Sequence, residues 1–396
     1  MIKIHLGLRH KYHKFVDPIF VWLFRFLPIA KKKIVFSNFN GRGYGDNPKY
    51  IAEKLLKRKL NYKMYWVVSN NRVFVPKGIA KIKYRSIRYI YEMATTKVFV
   101  SNIKNGTVWK KKEGQYYIQT WHGSLIMKYV EGEVADSLGK KYVNQSKQDS
   151  KVIDTFLVAS KDDENIIGRW FWYDHELWKT GSPRSDVFFN VSPAKIIAIK
   201  SKLGLQNDVN IILYAPTFRD DNSTKGYEID LENVIKSLNH VTGKKWVALV
   251  RLHPNAVALG KLFEYNNEII DACNYPDAQD LCLAADAMVT DYSSIMLDMF
   301  LQRKPVFLYT NDYDDYIAHS RPMHSIFHKL PCKRNDTEEE LINEIESFDK
   351  DTYLIKLRSF MENDFVSYDD GHASERVADR IKKVIETDYQ SPYYSK

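Results

Sequence analysis

The sequence predicts an α/β protein built from two Rossmann-like domains. Short apolar segments typical of buried strands alternate with segments of helical periodicity along most of the 396 residues. The alternation breaks near residues 187–207 and then starts again, and the chain is too long for one ordinary core. We therefore predict an N-terminal segment at 1–32, a first domain at 33–190 and a second domain at 191–396, whose last helix can pack back on the first domain.

The composition restricts the class of protein. A hydrophobic content of 44% and an aromatic content of 14% exclude a disordered chain. The three cysteines, Cys273, Cys282 and Cys332, form no C-x-x-C pair, which argues against a disulfide framework or zinc cluster and fits a reducing cytosol. The net charge of +10 indicates an anionic partner, which can be nucleic acid, anionic lipid or a phosphorylated substrate.

The segment at residues 15–30, FVDPIFVWLFRFLPIA, predicts an amphipathic helix that begins at Asp17-Pro18 and ends at Pro28. It is too short to span a bilayer, and no cleavage site of a signal peptide follows it. Aromatic residues between basic flanks favour the membrane interface, and packing on the protein's own core is the alternative. The predicted membrane-contacting residues are Phe20, Trp22, Phe24, Phe26, Lys31, Lys32 and Lys33.

Nine buried strands are predicted along the remainder of the chain. They lie at 34–36, 65–68, 98–100, 117–120, 155–158, 210–214, 247–250, 287–289 and 306–308.

The segment at 286–309, DAMVTDYSSIMLDMFLQRKPVFLY, is the most informative of these regions. An apolar strand stops at Thr290, a helical pattern follows Ser293-Ser294, and a second apolar strand follows Pro305. Hydroxyls and free backbone N–H groups at the carboxyl edge of a parallel sheet are suited to an anion. The segment therefore predicts a site for a phosphorylated ligand.

Several predicted strands, including the one that ends at Thr290, are followed by residues with polar or titratable side chains. Because the carboxyl ends of parallel strands lie along one edge, two domains that face each other would line one cleft from both sides. The strand-end residues are His122, Thr217, Arg219, Arg251, His253, Thr290, Ser293 and Ser294.

Each candidate also has a structural alternative. A histidine after a strand is more often structural than catalytic, although Trp121 and Gly123 place His122 in a sharp turn. His253 fits a phosphate clamp and a loop-capping role equally well when taken alone. Arg184 and Arg219 can form salt bridges at the domain interface, and Asp298 can be a solvated helix residue.

The glycine-rich loop at 41–45 does not match the dinucleotide fingerprint, and the sequence contains no Walker motif. The loop is therefore either a simple turn or a place where a ligand approaches the backbone closely.

Five motifs occur together in an order that resembles one known family. They are QTWHGS at 119–124, GSPRSD at 181–186, YAPTFRDD at 214–221, RLHP at 251–254 and VTDYSSIMLD at 289–298. The chain resembles the CDP-glycerol glycerophosphotransferase family, which includes wall teichoic acid primases and polymerases and relatives in capsule synthesis. The resemblance extends from about residue 33 to the DGHASERV segment at 370–377.

The resemblance implies a GT-B-like fold and an enzyme that moves glycerol phosphate, or a related polyol phosphate, from a CDP-linked donor. The acceptor would be a hydroxyl of a polyprenyl-diphosphate-linked saccharide or growing polymer, at the cytoplasmic face of the membrane, and CMP would leave. The family places the donor in the C-terminal domain and the acceptor in the N-terminal domain.

The implied reaction needs a base near the attacking hydroxyl and hydrogen-bond donors on the diphosphate. His122 is the predicted base and His253 the second catalytic histidine, although the two can exchange roles. The predicted donor-binding residues are Thr217, Arg219, Arg251, Thr290, Ser293, Ser294 and Asp298. The predicted acceptor-side residues are Trp121, Gly123, Gly41, Gly43 and Arg184.

The sequence departs from the family pattern at Arg321-Pro322-Met323-His324, where an arginine-glycine-aromatic stretch is expected. This departure leaves the donor open between CDP-glycerol and CDP-ribitol, and the choice between primase and polymerase is also left open.

Three other classes compete with this interpretation. A nucleotide-sugar glycosyltransferase would share the architecture, but the motif set argues against it. A nucleic-acid-binding protein would need a recognisable binding module, and a membrane scaffold would not explain the polar strand ends. No acidic cluster has the spacing of metal ligands, so we predict no tightly bound cofactor or metal, while stimulation by a divalent ion stays compatible.

Overall fold

Two parallel sheets organise the protein, and the computed structural model describes residues 18–105, 109–219, 223–387 and 389. The strands of the first sheet are β1 (Lys33–Ser37), β2 (Lys63–Val68), β3 (Ile79–Lys83), β4 (Val98–Ser101), β5 (Tyr116–Gln119), β6 (Thr155–Val158) and β7 (Glu176–Lys179). They pair in the order β3-β2-β1-β4-β5-β6-β7. The strands of the second sheet are β8 (Asn210–Tyr214), β9 (Trp246–Val250), β10 (Ile269–Asp271), β11 (Ala287–Thr290), β12 (Val306–Tyr309) and β13 (Arg334–Asn335). They pair in the order β10-β9-β8-β11-β12-β13.

Helices lie between the strands, as parallel connections require. They are α1 (18–24), α2 (Asp46–Lys57), α3 (Ile87–Thr95), α4 (Lys140–Ser150), α5 (Lys161–Trp170), α6 (Asp186–Phe189), α7 (Pro193–Lys202), α8 (Leu231–Thr242), α9 (Ala278–Ala284), α10 (Met296–Phe300), α11 (Tyr313–His319), α12 (Glu338–Glu346), α13 (Lys350–Asn363) and α14 (Ala373–Glu386).

Each sheet reverses its strand order once, between β1 and β4 in the first sheet and between β8 and β11 in the second. Parallel α/β sheets bind ligands in the crevice outside the carboxyl ends of the strands at such a reversal. The loops that follow these four strands contain Asn38, Asn102, Thr217 and the serines at 293–294. The topology therefore places the candidate residues of both domains at the expected binding edges.

The last helix, α14, belongs structurally to the first sheet. Its residues Val377, Ala378 and Ile381 are fully buried in the same core cluster as Ile34 of β1 and Ile118 of β5. Burial of a valine or isoleucine side chain contributes roughly 1.5–3 kcal/mol. The chain thus crosses between the domains a second time before it reaches α14.

The helix α1 presents two different faces. Phe20 and Phe24 pack against the core of the first domain, where the Phe24 ring lies 5.7 Å from that of Tyr91, so these two residues do not face outward as predicted. Lys33 is also wrong as a membrane contact, because it is buried and its Nζ lies 2.7 Å from Glu92. The outward surface of α1 and of the turn that follows it carries Trp22 and Phe26, which are 65% and 72% exposed.

The predicted start of this helix at Asp17 lies outside the described residues. Within the described ranges, no helix has both the length and the apolar character needed to cross a bilayer.

Candidate active site

The turn after β5 carries His122 in a constrained backbone. Trp121 has a φ of +51° and Gly123 a φ of +139°. A Cβ atom added to Gly123 would lie 3.2 Å from Ser294 Oγ and 3.4 Å from Arg184 Nη2. Glycine is needed here because the φ angle disfavours other residues and the second domain approaches closely. The His122 turn and the turn at Ser293-Ser294 therefore meet across the cleft, as their strand-end positions predict.

The His122 ring is held from three sides. Its Nδ1 lies 2.7 Å from the carbonyl oxygen of Asn102, it stacks on Trp121 at 4.4 Å between ring centroids, and the Phe39 ring meets it edge-on at 5.1 Å. A carbonyl oxygen can only accept, so Nδ1 carries the proton and Nε2 of the neutral ring is left with its lone pair. Burial lowers the pKa of His122 below the ordinary histidine value, which favours this neutral form.

Two buried asparagines hold this turn, and sequence reasoning did not identify either. Asn47 Nδ2 donates to the carbonyl oxygens of Thr120 and Trp121 at 3.2 and 3.0 Å, and its Oδ1 accepts the backbone N–H of Arg184. Asn102 Oδ1 accepts the backbone N–H of Phe39 at 2.9 Å. The only signal was position, since Asn47 opens α2 and Asn102 follows β4 at the binding edge.

Arg184 lies between the two domains as an ion-pairing residue. Its Nη1 lies 3.3 Å from Asp46 and 3.1 Å from the His122 carbonyl oxygen, and its Nη2 lies 3.3 Å from Asp298. The other oxygen of Asp298 accepts from Gln279 at 3.1 Å. The prediction that Asp298 contacts the donor does not fit this arrangement, because both of its oxygens are engaged within the protein. The interface salt bridge considered as the alternative for Arg184 is the arrangement observed.

Arg219 is also committed to the protein. It is buried, and it contacts Asp312 through Nε at 2.6 Å and Nη2 at 2.9 Å, and Asp291 through Nη1 at 2.8 Å. Asp291 in turn accepts the backbone N–H of Thr217 at 2.8 Å. The predicted donor contact for Arg219 is therefore replaced by a structural role, in which it ties the loop after β8 to the loops after β11 and β12.

Two further donor-side residues also make hydrogen bonds within the protein. The Thr290 hydroxyl is buried and donates to the Ala215 carbonyl oxygen at 2.7 Å. Arg251 Nη1 donates to three backbone carbonyls, those of Ala272, Cys273 and Tyr275, at 2.5–2.9 Å. Both side chains shape the carboxyl edge of the second sheet from within.

The remaining donor-side residues lie at the cleft in different environments. Ser293 and Ser294 are half-buried at the cleft, just before the five-residue helix α10. The Thr217 hydroxyl is buried and, among the described residues, has no hydrogen-bond partner. His253 is exposed after β9, where its ring stacks on Phe218 at 5.7 Å.

His253 has the opposite hydrogen-bond pattern to His122. The backbone N–H of Asn255 donates to His253 Nδ1 at 3.2 Å. An N–H group can only donate, so Nδ1 carries the lone pair and the proton of the neutral ring lies on Nε2. The two histidines at the cleft therefore differ in which ring nitrogen carries the proton.

The glycine-rich loop at 41–45 lies against the second domain, where a Cβ atom on Gly45 would lie 3.3 Å from the Pro276 carbonyl oxygen. Trp66 Nε1 donates to the Gly43 carbonyl oxygen at 3.0 Å, and the Gly41 carbonyl accepts from the Ser69 N–H at 2.8 Å. Across the described residues, no group of three or more histidine, cysteine, aspartate or glutamate side chains is arranged to hold a metal ion.

The segment that departs from the family pattern crosses from the second domain to the first. The Tyr129 N–H donates to the Pro322 carbonyl oxygen, and the His324 N–H donates to the Met127 carbonyl oxygen, each at 3.0 Å. This backbone pairing places residues 321–324 beside the loop that follows the His122 turn.

Two sheets with their carboxyl edges on one cleft define a GT-B-like protein, as predicted. The chain belongs to the family described as CDP-Glycerol:Poly(glycerophosphate) glycerophosphotransferase, whose model matches residues 19–383. The predicted family is thereby confirmed.

Relatives with assigned names agree with this membership. The chain is 33% identical to a teichoic acid poly(glycerol phosphate) polymerase of Staphylococcus epidermidis over 90% of its own length and 51% of that protein. It is 28% identical to a teichoic acid glycerol-phosphate transferase of Staphylococcus aureus, over 89% of this chain and 93% of that protein. The chain thus spans about half the length of the polymerases it matches from Staphylococcus epidermidis and Bacillus subtilis.

A solved structure gives the same result in three dimensions. The structure of a wall teichoic acid polymerase, TagF, superimposes with a TM-score of 0.83 at 28% identity, covering 98% of this chain and 99% of that one. A TagF variant was also solved after a soak with CDPG.

Proposed function

We propose that this protein transfers glycerol phosphate from CDP-glycerol to a hydroxyl group at the end of a teichoic acid or related polymer carried on a polyprenyl diphosphate. The acceptor oxygen forms a bond to the β-phosphorus, the bond between that phosphorus and the bridging oxygen breaks, and CMP leaves. The acceptor proton passes to His122 Nε2.

The observation that carries this proposal is that the two cleft histidines carry the proton on different ring nitrogens. His122 offers a lone pair at Nε2, because its Nδ1 donates to Asn102, and burial keeps its ring neutral. His253 carries its N–H at Nε2, because its Nδ1 accepts from Asn255. A base and a phosphate-directed donor are the two groups that attack of a hydroxyl on a diphosphate requires.

Three other side chains support a diphosphate on the second domain. The Ser294 hydroxyl lies opposite Gly123, with Ser293 beside it in the same turn. The Thr217 hydroxyl, which has no hydrogen-bond partner among the described residues, lies at the neighbouring strand end. Hydroxyl donors without internal partners favour binding of an anion over a structural role.

The test is product analysis with several donors. The protein is incubated with a synthetic lipid-diphosphate disaccharide ending in glycerol phosphate, and with CDP-glycerol, CDP-ribitol or a UDP-sugar. We expect CMP and an acceptor longer by one glycerol phosphate with CDP-glycerol. Faster turnover of CDP-ribitol would change the polyol assignment, and release of UDP would overturn the proposed reaction class.

We also infer that α1 docks the protein on the cytoplasmic face of an anionic membrane. The Trp22 and Phe26 rings meet edge to face, with 5.3 Å between their centroids, on the outward surface. Arg25, Lys31 and Lys32 in the same segment are also exposed. An aromatic surface beside cations is typical of interfacial helices.

Sedimentation with phosphatidylglycerol vesicles tests the docking. Serine at both Trp22 and Phe26 should reduce the bound fraction, while turnover of a water-soluble acceptor stays unchanged. Phe74→Ser is the matched control, because Phe74 is 70% exposed in another loop of the same domain. Equal vesicle binding by the double variant and the control would contradict the inference.

A further inference from the structure

Arg42 lies at the tip of the loop between β1 and α2, on a backbone that is held rigidly. The N–H groups of Gly41 and Arg42 donate to the Asn38 carbonyl oxygen at 2.8 and 3.0 Å. A Cβ atom on Gly41, whose φ is +92°, would lie 2.5 Å from the backbone nitrogen of Ser69. The loop therefore packs directly on the chain after β2, and only the Arg42 side chain extends from it.

The Arg42 side chain reaches the second domain beside His253. Its Nη1 lies 3.4 Å from Asn255 Oδ1, and Asn255 is the residue whose N–H fixes the protonation of His253. Since Asn255 contributes a neutral amide oxygen, this contact does not compensate the charge of the guanidinium. Within the described ranges, the structure pairs Arg42 with no carboxylate.

The other cleft arginines behave differently. Arg184 and Arg219 are buried among aspartates, and Arg251 is directed at backbone carbonyls. Arg42 is the exposed arginine of this set, and its guanidinium has five donors of which one makes a long contact.

The same loop also contacts His122, the proposed base. The Phe39 ring packs on His122 at 5.1 Å, and the Phe39 N–H donates to Asn102 Oδ1. One rigid segment thus contacts His122 at its start and reaches the His253 loop at its tip. A phosphate lying between the two histidines would lie next to this segment.

We propose that Arg42 is a donor-binding residue that contacts a phosphate of the CDP-linked donor from the first domain, opposite His253. The assignment rests on the proposed function, because it takes the diphosphate to lie at the His253 loop. A guanidinium forms two parallel hydrogen bonds with phosphate oxygens, which a lysine cannot reproduce. Arg42 thereby places a positive charge of the acceptor domain beside the donor phosphate. Donor binding would then depend on the contact between the two domains.

The experiment compares Arg42→Gln, Arg42→Lys and the control Arg358→Gln, which alters an exposed arginine on α13. Calorimetry measures CDP-glycerol affinity, and steady-state rates of CMP release give kcat and the KM of each substrate. We expect Arg42→Gln to weaken CDP-glycerol binding by roughly 10- to 100-fold, as loss of a hydrogen bond to a charged group does. Arg42→Lys should recover part of that loss, and the KM for the acceptor should change less than about 3-fold.

An unchanged CDP-glycerol affinity in Arg42→Gln, or a loss confined to the KM of the acceptor, would overturn the assignment. A loss equal to that of Arg358→Gln would do the same. If the wild-type protein releases no CMP, the proposed function fails by itself, while the calorimetric comparison still decides whether Arg42 binds CDP-glycerol.

Discussion

His122 and His253 follow strands of different domains, yet their surroundings differ in every respect that controls proton transfer. His122 is half-buried between Trp121 and Phe39 and donates from Nδ1 to a carbonyl oxygen. His253 is exposed on Phe218 and accepts at Nδ1 from a backbone N–H. The sequence places both histidines at the cleft, but only these backbone contacts distinguish a proton acceptor from a hydrogen-bond donor.

The residues that hold the two histidines in place also differ. The His122 turn is held by residues of its own domain, chiefly the Asn47 side chain and the Asn102 carbonyl oxygen. The Phe218 ring beneath His253 belongs to the loop that Arg219 anchors to Asp291 and Asp312. Damage to one support should therefore leave the other histidine in place.

Removal of each histidine should give the largest effect and separate the two roles. His122→Ala should lower kcat by about 10²- to 10⁴-fold, the usual range for loss of a general base, and leave CDP-glycerol affinity by calorimetry unchanged. His253→Ala should instead weaken CDP-glycerol binding, since it removes a hydrogen bond to phosphate.

His240→Ala, at an exposed histidine near the end of α8, is the control for both variants. Equal losses of donor affinity in His122→Ala and His253→Ala would contradict the division of roles. A loss of affinity in His122→Ala with little change in kcat would reverse it.

The support beneath His253 can be tested separately at Gly226. A Cβ atom there would lie 2.2 Å from Arg219 Nη2 and 2.6 Å from Asp312 Oδ2, so alanine must push apart the buried ion pair. We expect a loss of about 3 kcal/mol in unfolding free energy, the upper range for overpacking, and a fall in Tm of about 6–12 °C.

Gly139→Ala is the matched control, because no atom lies within 4 Å of a Cβ at Gly139. In conditions where both variants are folded, Gly226→Ala should weaken CDP-glycerol binding more than Gly139→Ala does. Equal melting temperatures for the two variants would show that the ion pairs of Arg219 with Asp291 and Asp312 tolerate the displacement.

The comparison also indicates how far sequence reasoning reaches. All nine predicted strands are present, whereas β3, β7, β10 and β13 were missed. These four are the edge strands of the two sheets, and edge strands pack on one side only and carry mixed or polar residues. The apolar pattern that reveals an inner strand is therefore absent from them.

The candidate site was predicted by position more reliably than by role. Arg219, Thr290 and Asp298 lie at the predicted edge, but their polar atoms are used within the protein. A sequence gives the residue type at a strand end and not the partner that lies near it in the fold. Asn47 and Asn102 were overlooked for the same reason, because amides have no chemistry that marks them in advance.

The smallest effect expected is a shift of the acidic limb of the pH–rate profile. Burial lowers the pKa of His122, and only its neutral ring can accept a proton, so activity is lost as pH falls through that lowered value. An unperturbed histidine of pKa about 6.5 would leave about one tenth of the full rate at pH 5.5, so we expect the wild-type kcat to retain a larger fraction there.

The lowered pKa of His122 also makes the stability of the fold depend on pH. Its contribution is fully present above the unfolded pKa and is lost as pH falls through the folded pKa. Melting temperatures measured over the same pH range therefore separate unfolding from titration. His253→Ala should keep the acidic limb, because that limb belongs to the other histidine. A limb that moved with His253→Ala, or that lay at or above the unperturbed value, would mean that His122 is not the group whose protonation stops the reaction.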